Sequence, residues 1–361
     1  MVQWIVTKMR RTYASPQLFL FSGIFLFLFF SFYLFPEFLS SNISYEINSL
    51  ASELKKEVKA KIPKPPPLNK ALYDAKLVEM ANNSTTPPYL WPAKAAYPLR
   101  GAVLPMKRVV AYYGNLYSRQ MGVLGEYEED IMLAKLMGEV EVWNEADPKT
   151  PVVPALHYIA VVAQGTAGKD GKYRFRMPGS EIDKVIKMAE KIGGMVFLDL
   201  QVGFSDAQTE IPVFEKYLKM PNVHLGLDPE FSMKTGIRPG KVVGTLDAAD
   251  INFASEYLAT LVRENNLPPK ILVIHRFTGN MVTNYDKIET RPEAQIVMDM
   301  DGWGPPAKKV NTYRQFIRSE PVQFTGFKLF YKNDLFDPGT ELMRPADLLK
   351  LNPRPVYIQY Q

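Results

Sequence analysis

Ionisable side chains end five successive apolar segments in the second half of this sequence. Within the segment 222–228, Val223, Leu225 and Leu227 occupy one parity, and polar residues occupy the other. Successive side chains of a strand point to opposite faces, so the polar members of each segment should share one face. The residues selected in this way are Asp199, Gln201, His224, Asp228, Glu230, His275, Asp299, Asp301 and Lys328. Because unpaired buried charges are costly, their gathering predicts a functional pocket.

The most specific pattern in this set is the sequence Asp228-Pro229-Glu230. At strand spacing its two carboxyl groups point to the same side, about 6–7 Å apart along the chain. Cleavage of a glycosidic bond needs two such groups, one protonated to assist the leaving group and one ionised to support the oxocarbenium-like state or activate water. The pattern therefore favours acid–base chemistry by paired carboxyl groups.

Two other chemistries are compatible with the same residues. A divalent metal could bind among the carboxylates, with His275 as a nitrogen ligand, in a metal-assisted hydrolase. Lys328 could form a Schiff base, but the surrounding carboxylates should raise its pKa rather than lower it. His157 and His224 fall early in their segments, which favours hydrogen-bonded core roles. We assign no metal ligand and expect no cofactor.

The elements that position these residues alternate between strand-like and helix-like segments. The apolar runs cover 109–115, 155–164, 194–201, 222–228, 270–277, 294–301, 324–331 and 355–360. The helix candidates between them cover 128–143, 180–192, 209–219, 248–265, 308–318 and 345–351. Eight such alternations predict an α/β fold, a (β/α)8 TIM-type barrel over 108–361 whose last run pairs with its first. An open doubly wound sheet is the alternative, although no Gly-rich phosphate loop follows the first run.

In a barrel of this kind, catalytic groups collect at the carboxyl ends of the strands. We expect Glu230, Asp228, Asp299, Asp301 and His275 to be catalytic. Aromatic residues at the strand ends are suited to stack on sugar rings. The expected substrate-binding residues are Asp199, Gln201, Tyr113, Trp303, Lys328 and Tyr331.

The D-x-E that ends the fourth run resembles the same feature of glycoside-hydrolase-type barrels, chitinase-like and phage-lysozyme-like ones in particular. This resemblance implies Glu230 as acid and base, Asp228 as its electrostatic partner, and Asp299 or Asp301 as a second carboxylate. Lys328 stands where many retaining glycosidases carry a nucleophilic Glu. The segments YYGN, LDLQ, LDPEF, MDMDG, GFKLFY and IQYQ also resemble uncharacterised bacterial membrane-anchored or lipoprotein-like barrel proteins.

An apolar segment near the N-terminus has the character of a membrane span. The run from Leu18 to Phe35 contains no ionisable residue and is long enough to nearly cross a hydrocarbon layer of about 30 Å. Basic residues in 1–17 precede the span 18–36, so the N-terminus should stay in the cytoplasm and the barrel should lie in the periplasmic or extracellular space. The run does not end in the small residues of a signal-peptide cleavage site, which favours an uncleaved anchor.

The region 37–107 should connect the anchor to the barrel. Its first part, 42–61, has apolar residues at helical spacing and predicts an amphipathic helix that packs on the barrel, the membrane or a membrane-complex partner. Pro63 to Pro67 should form a semi-rigid spacer, 69–82 a short helix, and 83–105 a Pro-rich strap along the domain.

Composition narrows the remaining function classes. The chain has no Cys, which excludes disulfides, thiolate metal sites and an N-terminal lipoprotein anchor. Its net charge of +5 lies partly in the N-terminal and juxtamembrane Lys and Arg residues, which favours anionic lipid over nucleic acid as a partner. A polysaccharide substrate and a non-catalytic scaffold role both remain open. An open acidic mouth would favour an enzyme, and a mouth filled by the strap would favour a scaffold.

Overall fold

Eight parallel strands form a closed barrel in the computed structural model, which describes residues 65–82 and 90–361. The strands are β1 Arg108–Gly114, β2 Val152–Ala163, β3 Met195–Leu200, β4 Val223–Leu227, β5 Lys270–Arg276, β6 Ala294–Met300, β7 Phe324–Leu329 and β8 Tyr357–Tyr360. Closure comes from β1, which pairs with β2 on one side and with β8 on the other, so that Val109 is the partner of both Val153 and Tyr357. The predicted barrel is confirmed, and the open-sheet alternative is wrong.

Except for the first, which precedes β1, the helices lie between successive strands along the chain. The longer helices are α1 Lys70–Met80, α2 Glu129–Ala146, α3 Gly179–Lys191, α4 Ala248–Asn265 and α5 Pro306–Thr312, which continues as a π-helical segment over Tyr313–Arg318. Shorter helical turns cover Val123–Glu126, Ala207–Glu210, Ile211–Phe214, Glu215–Leu218 and Pro345–Leu348. Helix α4 begins at a capping box. The Asp247 side chain accepts a backbone N–H of the first turn of α4, and the Asp250 side chain accepts the backbone N–H of Asp247.

Three short strands lie outside the barrel. Arg174–Arg176 pairs antiparallel with the end of β2 and forms a hairpin with it. Leu246–Asp247 and Val282–Thr283 pair with each other beside the start of α4. Residues 65–69 and 90–107 have no regular strand or helix.

The two faces of each barrel strand have different surroundings, as the alternation in the sequence predicts. Outward-facing Val223, Leu225 and Leu227 belong to the large apolar cluster between the strands and the helices. A second, smaller cluster fills the lower lumen with Val109, Ala111, Ala155, Phe197, Ile271, Val273, Val297, Phe324 and Tyr357. The polar residues of the same parity lie above this inner layer, toward the carboxyl ends of the strands.

Helix α1 and the described part of the strap, 90–105, close the amino end of the barrel. Tyr73 and Met80 of α1 and Leu104 of the strap join the inner apolar cluster. The side-chain amide of Gln295, near the start of β6, donates to the Leu104 carbonyl at 2.7 Å and accepts the Leu104 N–H at 3.2 Å. The strap therefore packs at the end of the barrel opposite the predicted pocket.

Residues 66–361 form one compact unit. No helix within 65–82 and 90–361 has the length and apolar character needed to cross a bilayer. The predicted span 18–36, the basic segment 1–17 and the amphipathic helix 42–61 lie outside the described residues.

Candidate functional site

A cavity of about 640 Å³ opens at the carboxyl ends of the barrel strands. Of the residues selected from the sequence, its wall contains Tyr113, Gln201, Asp228, Glu230, Asp301, Trp303 and Lys328. Asp199, His275 and Asp299 have no solvent exposure and do not line the cavity. The structure thus brings most of the expected set together in two layers, a wall layer and a buried layer.

Two strand glycines provide the space for the buried layer. A methyl group on Gly226 in β4 would lie 2.5 Å from His157 Nε2 and 2.6 Å from Asp199 Oδ1. A methyl group on Gly326 in β7 would lie 2.4 Å from Asp299 Oδ1. Any larger side chain at either position would occupy the volume that the polar groups use.

The Asp228-Pro229-Glu230 motif forms a tight turn directly after β4. Asp228 accepts the backbone N–H of Glu230 at 3.0 Å through Oδ1 and the side-chain amide of Gln201 at 3.2 Å through Oδ2. The 3₁₀ turn Pro229–Phe231 begins at this cap and presents Glu230, which is half-buried, to the cavity. Gly244 packs against this turn and donates its N–H to the Glu230 carbonyl at 2.7 Å. The turn therefore fixes both carboxyl groups relative to β4.

Both carboxyl groups of the motif hold their protons more tightly than usual. Burial, aided by the carboxylate of Asp301, raises the pKa of Glu230 to about 7, although Lys328 and His275 oppose the change. Burial also raises the pKa of Asp228 well above its usual range, and the neighbouring carboxylates of Asp199, Asp301 and Glu230 add to the effect. A carboxyl group that titrates near neutral pH is suited to general acid catalysis.

An ion pair between Lys328 and Asp301 crosses the wall layer. Lys328 Nζ lies 2.9 Å from Asp301 Oδ1 and 3.8 Å from the centre of the Tyr113 ring. Lys309 of α5 holds this end of β7 in place, because its Nζ donates to the Lys328 carbonyl at 2.8 Å and to Asp334 at 2.7 Å. Lys328 thus offers a fixed cation beside a carboxylate at the cavity wall.

His275 lies between carboxylates in the buried layer. Its Nδ1 is 3.3 Å from Asp299 Oδ2 and 3.4 Å from Asp301 Oδ2, and its Nε2 is 3.4 Å from Asp199 Oδ1. Burial acts to lower the pKa of His275, but the surrounding carboxylates outweigh it and raise the pKa well above its usual value. Burial alone would raise the pKa of Asp199. The neighbouring imidazoles of His275 and His157 outweigh this effect and lower the pKa. Burial raises the pKa of Asp299 despite its contact with His275.

Three residues that sequence reasoning did not assign to the site also belong to this layer. His157 Nδ1 shares a hydrogen bond of 2.5 Å with Tyr357 Oη, and Gln359 Nε2 donates to the same hydroxyl at 2.9 Å. The opposite ring nitrogen, His157 Nε2, lies 3.3 Å from Asp199 Oδ1. Burial lowers the pKa of His157 to about 4. The alternation of Tyr357 and Gln359 on β8 is the sequence signal that would have placed these two residues in the lumen.

His224 and Tyr331 lie elsewhere. His224 Nδ1 accepts the backbone N–H of Ile271 at 3.1 Å, which is the core role expected from its position early in β4. Tyr331 does not line the cavity; its hydroxyl donates to Glu139 of α2 at 2.6 Å and its ring stacks on Tyr360. The expectation that Tyr331 binds substrate at the mouth is therefore not supported by its position, because the chain has left β7 at Leu329 and strand parity no longer applies to it.

Trp303 is the most exposed aromatic residue of the cavity wall. Its side chain is 49% exposed, and Lys308 Nζ lies 4.7 Å from its ring centre. An exposed indole beside carboxyl and amide groups is suited to stack on the apolar face of a sugar ring. The cavity thus combines a titratable acid, a paired carboxylate and an aromatic platform.

One group in the described residues has the composition of a metal site. His157, Asp199 and His275 each offer a ligand atom, and these atoms lie within 4.8 Å of one another. Two imidazoles and one carboxylate are a ligand set that zinc and iron(II) sites use. The group belongs to the buried layer, beneath the wall that carries Asp228 and Glu230.

Comparisons with known proteins give only distant likenesses. No protein-family model matches the chain, and no curated protein matches it. Among solved structures, a cellulase, Cel5C_n, is similar with a TM-score of 0.37 and 12% identity over 65% of this chain and 69% of that chain. The Bacillus subtilis mannanase man26 has a TM-score of 0.37 and 14% identity, over 71% and 79% of the two chains. Thermotoga maritima Cel5A has a TM-score of 0.37 and 10% identity, over 71% and 88%. Similarity of this degree does not identify a function.

Proposed function

We propose that this barrel is a glycoside hydrolase that cleaves an envelope or extracellular glycan, with Glu230 as the general acid. The observation that carries the proposal is the carboxyl group of Glu230 on the wall of an open cavity, with a pKa raised to about 7 by burial and by Asp301. A carboxyl group in this state is protonated in a large fraction of molecules at neutral pH and can still release its proton readily. Such a group is what a departing sugar oxygen requires.

The second carboxylate in this proposal is Asp301. Its Oδ1 is paired with Lys328 Nζ at 2.9 Å, on the same cavity wall as Glu230. Glu230 would give its proton to the glycosidic oxygen as the bond to the anomeric carbon breaks. Asp301 would accept a proton from the water whose oxygen bonds to that carbon. This assignment leads to inversion, and it agrees with a lysine at the end of β7 where a retaining enzyme would need a nucleophile.

The remaining wall residues have roles in binding and positioning. The Asp228 carboxyl group accepts the backbone N–H of Glu230 and so fixes the turn. The side-chain amide of Gln201 donates in turn to Asp228. Trp303 offers an exposed ring face to a sugar, whereas Tyr113 is buried and has Lys328 Nζ over its ring. The amide of Gln201 offers polar contacts to hydroxyl groups. No metal or cofactor enters these steps.

The site of action in this proposal is the outer side of a cytoplasmic membrane. Its support is the charge-free run Leu18 to Phe35 after the basic residues Lys8, Arg10 and Arg11, which assigns the N-terminus to the cytoplasm by the positive-inside rule. The barrel would then be periplasmic or extracellular, held to lipid through 18–36. Helix 42–61 is available in this arrangement for a membrane-complex partner.

A non-catalytic scaffold is the second candidate role. The described part of the strap, 90–105, packs at the amino end of the barrel and leaves the opposite mouth open to the cavity. A scaffold has no evident need for an unfilled mouth lined by ionisable groups. The open cavity therefore favours the enzyme.

The test compares wild-type protein with Glu230→Gln on peptidoglycan and a panel of common polysaccharides, with new reducing ends as the readout. The substitution keeps the volume and removes the transferable proton, so turnover should fall by ~10²–10⁴ while the fold is retained. Glu141→Gln, at an exposed position of α2, is the matched control and should keep full activity. Wild-type turnover should also fall as pH rises through about 7, because Glu230 then loses its proton. Wild-type inactivity across the panel would move the assignment to the scaffold, whereas equal turnover in Glu230→Gln would rule out Glu230 as the general acid.

A further inference from the structure

Three ligand atoms converge in the buried layer beneath the cavity. Asp199 Oδ1 lies 3.3 Å from His157 Nε2 and 3.4 Å from His275 Nε2. All three side chains have no solvent exposure. They come from β3, β2 and β5, so the barrel scaffold fixes their relative positions.

None of these three atoms has a hydrogen-bond partner among the described residues. The two histidine–aspartate contacts have the length of ion pairs without hydrogen-bond geometry. A buried polar atom without a partner destabilises a folded protein. A single cation accepts a lone pair from each of the three atoms, and on binding it would replace the proton that the carboxylates favour on His275.

The opposite atoms of the same side chains are held as metal ligands usually are. His157 Nδ1 bonds to Tyr357 Oη at 2.5 Å, and His275 Nδ1 faces Asp299 Oδ2 at 3.3 Å. Asp199 accepts the Tyr113 hydroxyl at 3.0 Å through Oδ2, which leaves Oδ1 free for the centre. A metal-bound histidine normally directs its other nitrogen at a carboxylate, carbonyl or hydroxyl group that fixes the ring. The hydroxyl group of Tyr357 beside His157 matches that arrangement, whereas His275 Nδ1 and Asp299 Oδ2 approach each other without hydrogen-bond geometry.

The spacing of the ligand atoms fits a tetrahedral ion. Bonds of about 2.0–2.1 Å to nitrogen and oxygen place neighbouring ligands of a tetrahedron about 3.3–3.4 Å apart. The two measured contacts from Asp199 Oδ1, 3.3 Å and 3.4 Å, have this length. Two of the three ligand separations thus match those around a small tetrahedral ion, and the two imidazole nitrogens lie within 4.8 Å of each other.

Gly226 lies directly against two of the three ligand atoms. The point where a methyl group would stand on this residue is 2.5 Å from His157 Nε2 and 2.6 Å from Asp199 Oδ1. Gly226 lies within β4, so its backbone does not need glycine for a left-handed conformation. The absence of a side chain therefore lets the imidazole and the carboxylate converge against β4.

We propose that His157, Asp199 and His275 bind one Zn²⁺ ion through Nε2, Oδ1 and Nε2, with a fourth position for water or a substrate atom. This site goes beyond the proposed glycan hydrolysis, since it uses none of the groups assigned to proton transfer by Glu230 and Asp301. It also gives a structural reason for the convergence of both histidines on one carboxylate oxygen. Zinc is chosen over iron because the contact lengths fit a tetrahedron.

The test measures zinc in the full-length chain, purified without a histidine tag, after dialysis against Zn²⁺ and removal of free metal. The wild type should hold one zinc per chain, and His157→Asn should hold less than a tenth of that. Asparagine keeps a polar atom near the position of Nδ1, beside Tyr357, and removes only the Nε2 ligand. His224→Asn is the matched control, because His224 also packs on Phe197 and bonds through Nδ1 while its Nε2 has no partner. The control should keep its zinc.

A wild type that retains no zinc, or equal zinc in His157→Asn and His224→Asn, would overturn the proposal. If His157→Asn does not fold, a measurement on the wild type decides. X-ray absorption at the zinc edge of the wild type needs no variant. Two imidazoles and a carboxylate around the ion support the site, and fewer than two imidazoles refute it. These readouts are independent of turnover, so failure of the zinc site and failure of the glycan-hydrolase proposal are distinguishable.

Discussion

Replacing Glu230 by Gln should stabilise the folded protein at alkaline pH, in addition to its effect on turnover. Burial and the Asp301 carboxylate raise the pKa of Glu230 from 4.5 to about 7. Below pH 4.5 the carboxyl group is protonated in both the folded and the unfolded chain, so the Gln variant and the wild type should have similar stability. As pH rises toward 7 the unfolded chain loses this proton first, and the free energy of unfolding of the wild type falls.

The expected size of this effect follows from the change in pKa. One pKa unit corresponds to about 1.36 kcal/mol, so the difference between 4.5 and about 7 represents roughly 3 kcal/mol. Because Glu230 is half-buried and Lys328 and His275 oppose the increase in its pKa, this value is an upper bound. The variant should gain stability progressively from pH 4.5 to 7 and keep a constant advantage above that range.

Urea unfolding at pH 5, 6, 7 and 8, followed by circular dichroism, measures this difference directly. Glu141→Gln, on the exposed surface of α2, controls for the general removal of one negative charge and should follow the wild type at every pH. Parallel stability curves for wild type and Glu230→Gln across the whole range would refute the reasoning. Glu230 would then be an ordinary solvated carboxylate, and its role as a proton donor at neutral pH would lose its physical basis.

Three further predictions concern the fold and its location. Deleting the last seven residues removes β8, which exposes two strand edges and the lumen, so soluble monomeric protein should disappear in gel filtration; a stable truncated monomer would contradict closure through β1 and β8. Gly326→Ala places a methyl group 2.4 Å from Asp299 Oδ1 and should lower the free energy of unfolding by about 1–3 kcal/mol, whereas Gly138→Ala, where a methyl group meets no neighbour, should not. Protease added to intact spheroplasts should digest residues 39–361, and full protection would contradict the proposed orientation.

Strand parity is the basis of most of the site predictions made from the sequence. The alternation of Leu198 and Leu200 with Asp199 and Gln201 correctly separated the helix-facing side of β3 from its lumen side. The same reasoning located Asp228, His275 and their neighbours, because a two-residue period leaves no freedom once a strand is identified. The paired Asp residues before α4 likewise identified its start through capping.

Strand parity alone does not predict the position of a side chain where the stagger between strands, or a turn of the chain, determines it. His157 was expected to be a hydrogen-bonded core residue, and its Nδ1 does bond to Tyr357, but its Nε2 also faces Asp199. Which lumen residues share a layer depends on the stagger between strands, and a single sequence does not contain that stagger. Tyr331 lies two residues beyond the end of β7. The turn after the strand, and not strand parity, directs its side chain toward Glu139 of α2.

The charged lumen constrains how this barrel can diverge over evolutionary time. An apolar layer accepts single exchanges of similar volume. Here, however, Lys328 pairs with Asp301 at the cavity wall, and His275 lies against the fully buried Asp199 and Asp299. Loss of one partner from a buried pair destabilises a protein by roughly 3–5 kcal/mol, a large part of an ordinary stability of about 5–15 kcal/mol. Changes here should therefore be strongly epistatic and accepted only in matched sets. A descendant protein that lost the activity should lose the charged side chains, the buried histidines and the two strand glycines together. Apolar side chains should then fill the lumen.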